Sequence, residues 1–388
     1  MQSQLPKASL KNKRVILRAD LNVPRKPDGS IASDFRIKAL LPTINLILKK
    51  GGKVILLTHC GRPVKKSKKL STKTLVDWFK KNDYHAVFAP TVEKAQSMST
   101  KDNNNIVIVE NLRFFDGEQT EDKTFAQELA ALGDYYVNDA FALLHRNNTS
   151  ITLLPKLFAP NKRTIGLLIE KELCELDALM QKSKSPFVIL QGGIKGSTKL
   201  LLLQTLLDKA DTILISTPLC FSFLKAQNKN VGASFTEDGL LPHIEKFLQA
   251  AKEKNVNVVL PIDYQVSSKS FYEPHVLREV TSIQNNDTGV SIGPKTAVLF
   301  SNYIKKAKTV FANGLPGNYV YPETLEGTRM LLQALRQTNG LHILAGGDSV
   351  ALVEKLGFND VEYLSTGGGA TLAYLSGQTL AGLAVFGS

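Results

Sequence analysis

The fold is decided by the segment Lys53-Val-Ile-Leu-Leu57, which Thr-His-Cys-Gly-Arg-Pro follows directly at residues 58–63. A short run of branched apolar residues that ends in a polar loop is typical of a buried parallel strand. Amphipathic helical stretches such as Ile37 to Lys50 and Phe125 to Leu132 separate similar runs along the whole chain. These further strands are predicted at residues 14–18, 105–109, 134–138, 186–190, 212–215, 257–260, 309–312 and 342–345. The alternation predicts an α/β fold of two doubly wound, Rossmann-like parallel sheets with helices on both faces.

The length of 388 residues suits two domains better than one hydrophobic core. Ile169 to Met180 form a strong helical pattern, and Lys182-Ser-Lys-Ser-Pro186 then breaks it before a new strand. We therefore expect a first domain over residues 1–168, a hinge helix over 169–185 and a second domain over 186–371.

Composition excludes several classes of protein. Hydrophobic residues make up 43% and charged residues 21% of the chain, as in ordinary soluble globular proteins. No apolar run approaches the roughly 20 residues of a membrane-spanning helix, and the N-terminus lacks the apolar core of a secretory signal. The three cysteines, Cys60, Cys174 and Cys220, have no metal-binding spacing, which favours a reducing, cytoplasmic location.

The net charge of +13 raises the question of a nucleic-acid partner. The lysine runs at 64–69 and 80–81 are more typical of solvated loop and helix faces. No aromatic RNA-binding strand, zinc knuckle or basic heptad accompanies them. The sequence predicts no specific nucleic-acid partner and leaves weak, non-specific binding of polyanions open.

Five arginines, with His59 and Asp20, recur in short motifs near predicted strand ends or turns of the first half: Arg18, Arg36, Arg62, Arg113 and Arg146. The carboxyl ends of parallel strands meet at one edge of a sheet, so we expect one anion pocket there. Guanidinium groups suit this purpose because they are planar and carry several donors. Any one of these arginines alone would more often form a surface ion pair, and His59 alone could be an ordinary buried histidine.

Glycine clusters beside lysines mark the second half. Gly192-Gly193-Ile-Lys195-Gly-Ser-Thr-Lys199 follows a predicted strand and precedes a helix, and three further clusters are Asn313-Gly314, Gly346-Gly347-Asp348-Ser349 and Gly367-Gly368-Gly369. Glycines let backbone N–H groups approach a phosphate, and a helix N-terminus favours negative charge. The spacing is not that of a Walker loop, and each glycine doublet alone would suggest only a turn. Together they predict a site for phosphate groups.

The order of these motifs over nearly the whole chain resembles the phosphoglycerate kinase family. The resemblance implies a two-domain enzyme, a phosphotransferase of glycolysis and gluconeogenesis. Such an enzyme moves a phosphoryl group between 1,3-bisphosphoglycerate with ADP and 3-phosphoglycerate with ATP, and depends on Mg²⁺. It further implies a monomer, hinge closure, and a tail over residues 372–388 that packs back on the first domain. On composition and hydropathy, as above, we expect no specific nucleic-acid partner and no membrane partner.

The resemblance also implies roles for individual residues. The residues implied to bind the phosphoglycerate substrate are Asp20, Leu21, Asn22, Arg36, His59, Cys60, Gly61, Arg62, Arg113 and Arg146. The residues implied to bind the nucleotide are Gly193, Lys195, Lys199, Asn313, Val320, Gly346, Gly347, Asp348 and Ser349. Arg36, Lys195 and Gly368 would be catalytic, and Asp348 would hold Mg²⁺. Cys60 is interpreted as a small packing residue rather than a nucleophile.

The chain departs from the family pattern around the nucleoside. Ser216-Thr217-Pro218 stands where the family has a glycine triplet, Val320 where it has a glutamate that contacts the ribose, and Ala373 where it has another glutamate. One hypothesis is an active kinase with weakened or altered nucleoside preference. The alternative is a catalytically impaired phosphoglycerate-binding paralogue that acts as a sensor or interaction protein. Retention of Lys195, Lys199 and Asp348 favours the enzyme.

Overall fold

The computed structural model describes residues 1–101, 105–268, 276–358, 360 and 363–387. The chain forms two compact units. The first unit comprises Met1–Cys174 together with the residues from Thr379 onward, and the second comprises Glu175–Gln378. The units therefore divide inside the helix that was expected to connect them. The returning tail begins at Thr379, seven residues later than the expected residue 372.

The first unit is built on a parallel sheet with the strand order β3-β4-β2-β1-β5-β6. Its strands are β1 Arg14–Ala19, β2 Lys53–Leu57, β3 Ala86–Ala89, β4 Ile106–Val109, β5 Tyr135–Asp139 and β6 Arg163–Ile165. Its helices are α1 Phe35–Lys49, α2 Lys73–Lys81, α3 Val92–Ser99, α4 Lys123–Ala130 and the first part of α5 Leu167–Lys182. Arg18 pairs with Leu57, and Ala19 pairs with Asp139. These central strands therefore end at one edge of the sheet.

Burial on both faces explains why the strands read as continuous apolar runs. Val15 and Leu17 of β1 pack into one buried cluster, whereas Ile16 packs into another. Successive side chains of a strand point to opposite faces, so each face of the sheet has a core of its own. Both cores exclude water and are covered by helices, as expected for a doubly wound sheet.

The second unit repeats the design with the strand order β15-β14-β13-β7-β8-β9. Its parallel strands are β7 Phe187–Gln191, β8 Thr212–Ile215, β9 Asn257–Val259, β13 Thr309–Asn313, β14 Leu341–Ala345 and β15 Tyr363–Ser365. A separate antiparallel sheet contains β10 Asp263–Ser267, β11 Val276–Glu279 and β12 Thr288–Ile292. The helices are α6 Gly196–Leu206, α7 Leu219–Ala226, α8 Leu241–Glu253, α9 Pro294–Lys306, α10 Glu326–Arg336, α11 Gly347–Lys355 and α12 Gly369–Leu375. In the tail, α13 Ala381–Ala384 returns to the first unit.

The predicted fold class is confirmed, with additions. The sequence prediction missed β3, β6 and β15, which are only three or four residues long. It also missed the antiparallel sheet, in which β11 is mostly exposed and β10 and β12 contain polar residues or glycine among the apolar ones. The glycine cluster at 367–369 lies at the start of α12, and α13 follows that helix. Among the described residues, no helix has both the length and the apolar character needed to cross a bilayer.

Candidate functional site

Three of the predicted arginines line one concavity of the first unit. Its volume is about 360 Å³, and its lining residues are Arg62, Pro63, Arg113, Gln119 and Arg146. Burial, together with the charges of Arg146 and Arg18, lowers the pKa of Arg113 to about 10. The guanidinium groups therefore face one another at some electrostatic cost, which a bound anion would relieve. Gln119 was missed because it belongs to none of the motifs.

The side chain of Asn111 joins the two loops that carry Arg62 and Arg113. It accepts a hydrogen bond from the Cys60 amide at 3.1 Å and donates one to the Cys60 carbonyl at 2.7 Å. It also accepts from the Arg113 amide at 3.1 Å, and Nη1 of Arg113 donates to the Gly61 carbonyl. Cys60 itself is buried, and burial raises the pKa of its thiol, which agrees with a packing role.

A second cluster of the first unit holds Asp20, Arg36 and His59. Arg36 forms an ion pair with Asp20, and Nδ1 of His59 lies 3.7 Å from Oδ1 of the same carboxylate. Burial raises the pKa of Asp20, but the opposing charges of Arg36 and other groups lower it to about 2. Burial lowers the pKa of His59 to about 3, so the imidazole is neutral at pH 7. Among the described residues, Nδ1 of His59 has no hydrogen-bond partner.

The loop after β1 is tied to the loop after β2. The Gly61 amide donates to Oδ1 of Asn22 at 2.8 Å, and the Leu21 amide donates to Oγ1 of Thr58 at 2.9 Å. Gly61 has a φ of +63°, and a Cβ there would come 2.7 Å from Leu70. Only glycine therefore allows this backbone course beside Arg62 without displacing Leu70. These contacts bring the predicted residues of both loops together.

The expectation that Arg18 joins the anion pocket is wrong. Its side chain is only 1% exposed and turns into the interior of the first unit. Nε donates to Oγ of Ser150 at 2.7 Å, and Nη2 lies 3.5 Å from Glu118. Arg18 is the last but one residue of β1, where a side chain can point into the core as readily as toward the loops. Sequence spacing did not reveal its partner Glu118, 100 residues away.

In the second unit, the loop after β7 brings glycine backbone next to the ammonium group of Lys199. Gly193 has a φ of +83°, and a Cβ there would come 2.8 Å from Nζ of Lys199. Lys199 lies in the first turn of α6, is 8% exposed, and donates to the Gly192 carbonyl. Burial lowers the pKa of Lys199 to about 8, against the opposing effect of Asp348 and Glu237. A buried ammonium group beside glycine backbone is suited to an anionic ligand.

The ends of β13 and β14 complete this edge of the sheet. The Gly192 amide donates to the Asn313 carbonyl at 2.9 Å, and a Cβ at Gly314 would come 2.3 Å from the Gly192 oxygen. Oγ of Ser349 accepts from the Gly314 amide at 3.1 Å. Gly346 has a φ of +100° and lies directly against the Asn313 side chain. The predicted nucleotide residues after three strands thus come together.

Asp348 is the candidate ligand for a divalent metal. It is exposed in the first turn of α11, next to Ser349. Across the described part of the chain, no three His, Cys, Asp or Glu residues form a group that could hold a metal ion alone. Mg²⁺ that arrives on a polyphosphate needs only one or two protein carboxylates, because phosphate oxygens and water complete its shell. The single carboxylate therefore fits a nucleotide-borne Mg²⁺.

The remaining predicted residues lie in loops or at helix starts that follow strands of the second unit. Lys195 is exposed and has a φ of +68° at the start of α6, and Gly368 has a φ of +51° at the start of α12. Val320 is 54% exposed in the loop between β13 and α10. The side chains of Ser216 and Thr217 are buried, and the Thr217 carbonyl accepts from the Gly193 amide at 3.0 Å.

Glu237 is a residue of this edge that the sequence did not reveal. Its Oε1 accepts a hydrogen bond from the Gly196 amide at 2.5 Å, at the first residue of α6. It lies 41 residues from this partner and belongs to none of the glycine motifs. No signal in a single sequence would have found it.

Comparisons with known proteins agree on one family. The family model described as phosphoglycerate kinase matches residues 5–378. The phosphoglycerate kinase of Leifsonia xyli is 37% identical over 396 residues, covering 98% of this chain and 97% of the relative. That of Coprothermobacter proteolyticus is also 37% identical, covering 97% and 96%. The solved phosphoglycerate kinase of Coxiella burnetii has a TM-score of 0.79 at 31% identity, and that of Pyrococcus horikoshii has 0.85 at 28%, each covering 98% of this chain and 97% of the other.

Proposed function

The chain belongs to the phosphoglycerate kinase family and is a phosphotransferase, and we propose that it transfers a phosphoryl group reversibly. The substrates are 1,3-bisphosphoglycerate and ADP in one direction and 3-phosphoglycerate and ATP in the other, and the reaction depends on Mg²⁺. The observation that carries the proposal is the convergence of Arg62, Arg113 and Arg146 on one cavity. Three guanidinium groups without a carboxylate among them are complementary in charge to a phosphate ester.

On the triose side, Arg62, Arg113 and Arg146 bind the phosphate that is not transferred. The neutral imidazole of His59, with Asp20 and Asn22, contacts the hydroxyl and carboxyl end, alongside the backbone of Leu21, Cys60 and Gly61. Arg36 faces the phosphoryl group in transit and spreads its developing charge. The short separation between Arg36, Asp20 and His59 supports their action on the same end of the substrate.

On the nucleotide side, Lys199 and the backbone of Gly193 bind phosphate oxygens. The other contacts are assigned to Asn313, Gly346, Gly347 and Ser349. Lys195 and the N–H groups after Gly368 neutralise the transferred group. Asp348 would hold Mg²⁺, which would supply further positive charge to the phosphate groups. Support comes from the close packing of these strand-end loops and from the burial of Lys199.

The reaction needs no nucleophile from the enzyme. A carboxylate oxygen of 3-phosphoglycerate attacks the γ-phosphorus of ATP, the new O–P bond forms, and the bond to the β-phosphate oxygen breaks with release of ADP. Rate enhancement comes from positioning and charge neutralisation. Because the two substrates bind residues of different units, we assign their approach to bending in α5 and residues 183–185, with expulsion of water.

The nucleoside contacts are proposed to differ from those of the family. Val320 offers no acceptor to ribose hydroxyls, which forfeits about 0.5–1.5 kcal/mol per hydrogen bond. The side chains of Ser216 and Thr217 fill space that glycines would leave open. We therefore propose a weakened or altered nucleoside preference.

The setting that we propose is a monomer in the reducing cytoplasm, with small-molecule partners only. Cys60 and Cys220 are buried and Cys174 is exposed, and all three are free thiols. Free thiols are stable in a reducing compartment, which supports this location.

A steady-state assay tests the function. The chain is incubated with 3-phosphoglycerate, Mg²⁺ and ATP, GTP or CTP in turn, and 1,3-bisphosphoglycerate formation is followed. Turnover with at least one nucleotide is expected. If 3-phosphoglycerate binds in calorimetry but no nucleotide supports turnover, the chain is a phosphoglycerate-binding protein and the proposal fails.

A further inference from the structure

Helix α6 begins without a cap of its own. Its N-cap residue, Lys195, has the left-handed conformation and makes no side-chain capping bond. The first N–H groups of any helix lack partners within the helix, so an uncapped first turn frays. This turn matters here, because Lys199 lies within it.

A distant loop supplies the missing acceptor. Oε1 of Glu237 accepts from the Gly196 amide at 2.5 Å. The Glu237 amide in turn donates to the buried Oγ of Ser222 at 3.0 Å, which fixes the loop. A Cβ at Gly196 would come 2.5 Å from Leu240 and 3.2 Å from Oε1 of Glu237. Gly196 is therefore needed to let this loop reach the helix.

We propose that Glu237 is a positioning residue of the nucleotide site, which caps α6 from outside the helix and thereby holds the ammonium group of Lys199 against the Gly192 carbonyl. The inference rests on the proposed nucleotide site. A carboxylate at a helix N-terminus satisfies an amide and complements the helix dipole. Without it, the first turn loosens and Lys199 loses the fixed position that phosphate binding requires.

The adjacent residue provides a matched control. Asp238 is also acidic and lies on the same loop, but it is exposed and pairs with Lys225 at 2.8 Å. Replacing Asp238 by asparagine removes one negative charge without touching α6. Replacing Glu237 by glutamine keeps the acceptor oxygen, whereas alanine and the similarly sized leucine remove it.

Calorimetric titration of the full chain with ATP and Mg²⁺, and separately with 3-phosphoglycerate, tests the inference. Glu237→Ala and Glu237→Leu are expected to weaken ATP binding about five- to tenfold, the size of a lost helix cap. Binding of 3-phosphoglycerate is expected to stay unchanged. Glu237→Gln is expected to stay within about twofold of the wild type, and Asp238→Asn to match it.

Several results would overturn the inference. Wild-type ATP affinity in both Glu237→Ala and Glu237→Leu would refute it, since a cap without effect positions nothing. Equal weakening of ATP and 3-phosphoglycerate would indicate general destabilisation, and tighter ATP binding would make the carboxylate a competitor of phosphate. Glu237→Gln as weak as Glu237→Ala would show that the acceptor is irrelevant. A wild-type chain that binds no nucleotide would refute the proposed function, and this inference with it.

Discussion

Replacing Arg36 by alanine tests the cluster around Asp20. The variant removes the main cationic partner of a carboxylate whose side chain is only 10% exposed. The change of the Asp20 pKa from 3.8 to about 2 corresponds to about 2 kcal/mol of stability. Because the folded-state pKa is lowered, this stability is present above pH 4 and is lost as the pH falls toward 2. Arg36→Ala should therefore be less stable than the wild type by on the order of 2 kcal/mol at pH 7, with a difference that shrinks between pH 4 and 2.

The fluorescence of Trp78, the single tryptophan of the chain, reports unfolding of the first unit. Denaturant titrations at pH 7, 4, 3 and 2 give the difference at each pH. In kinetic assays, Arg36→Ala should lower kcat about 100-fold or more and change 3-phosphoglycerate affinity far less, since its benefit arises in the transition state. Lys38→Ala, on the exposed face of the same helix, is the control. A stability difference that is constant with pH, or equal losses in kcat and affinity, would refute the reasoning.

Three further variants probe the two sites. Arg146→Ala should weaken 3-phosphoglycerate binding about 10-fold or more by calorimetry and leave ATP binding unchanged; unchanged triose binding would exclude the arginine cavity as the phosphate site. ATP affinity should decline above pH 8 as the Lys199 ammonium loses its proton, and Lys199→Met should abolish that decline; a decline that persists in Lys199→Met would contradict this assignment. Val320→Glu should lower the nucleotide KM several-fold by restoring an acceptor for ribose hydroxyls, and an unchanged KM would contradict the ribose interpretation.

The sequence predicted those features that local patterns encode. Apolar runs ending in polar loops gave both parallel sheets, because a strand buried on both faces must be apolar throughout. The same rule brought Arg62, Arg113 and Arg146 to one edge, where the structure has them in one cavity. The strand-end position alone did not decide side-chain direction, which is why Arg18 was wrongly included.

Features that depend on partners far apart along the chain could not be predicted from the sequence. Glu118 pairs with Arg18 from 100 residues away, and Glu237 caps α6 from 41 residues away. Neither pairing leaves a periodic or compositional trace. The antiparallel sheet was missed for a different reason, since none of its strands is a continuous apolar run: β11 is exposed, and β10 and β12 mix polar residues or glycine with apolar ones.

The decisive experiment is a crystal structure with 3-phosphoglycerate, Mg²⁺ and a non-hydrolysable ATP analogue. We expect the triose phosphate within hydrogen-bonding distance of Arg62, Arg113 and Arg146. We also expect the polyphosphate at Lys199, with the metal bound to Asp348. A triose phosphate outside the arginine cavity, or a nucleotide that leaves Lys199 and Asp348 untouched, would refute the two proposed binding sites.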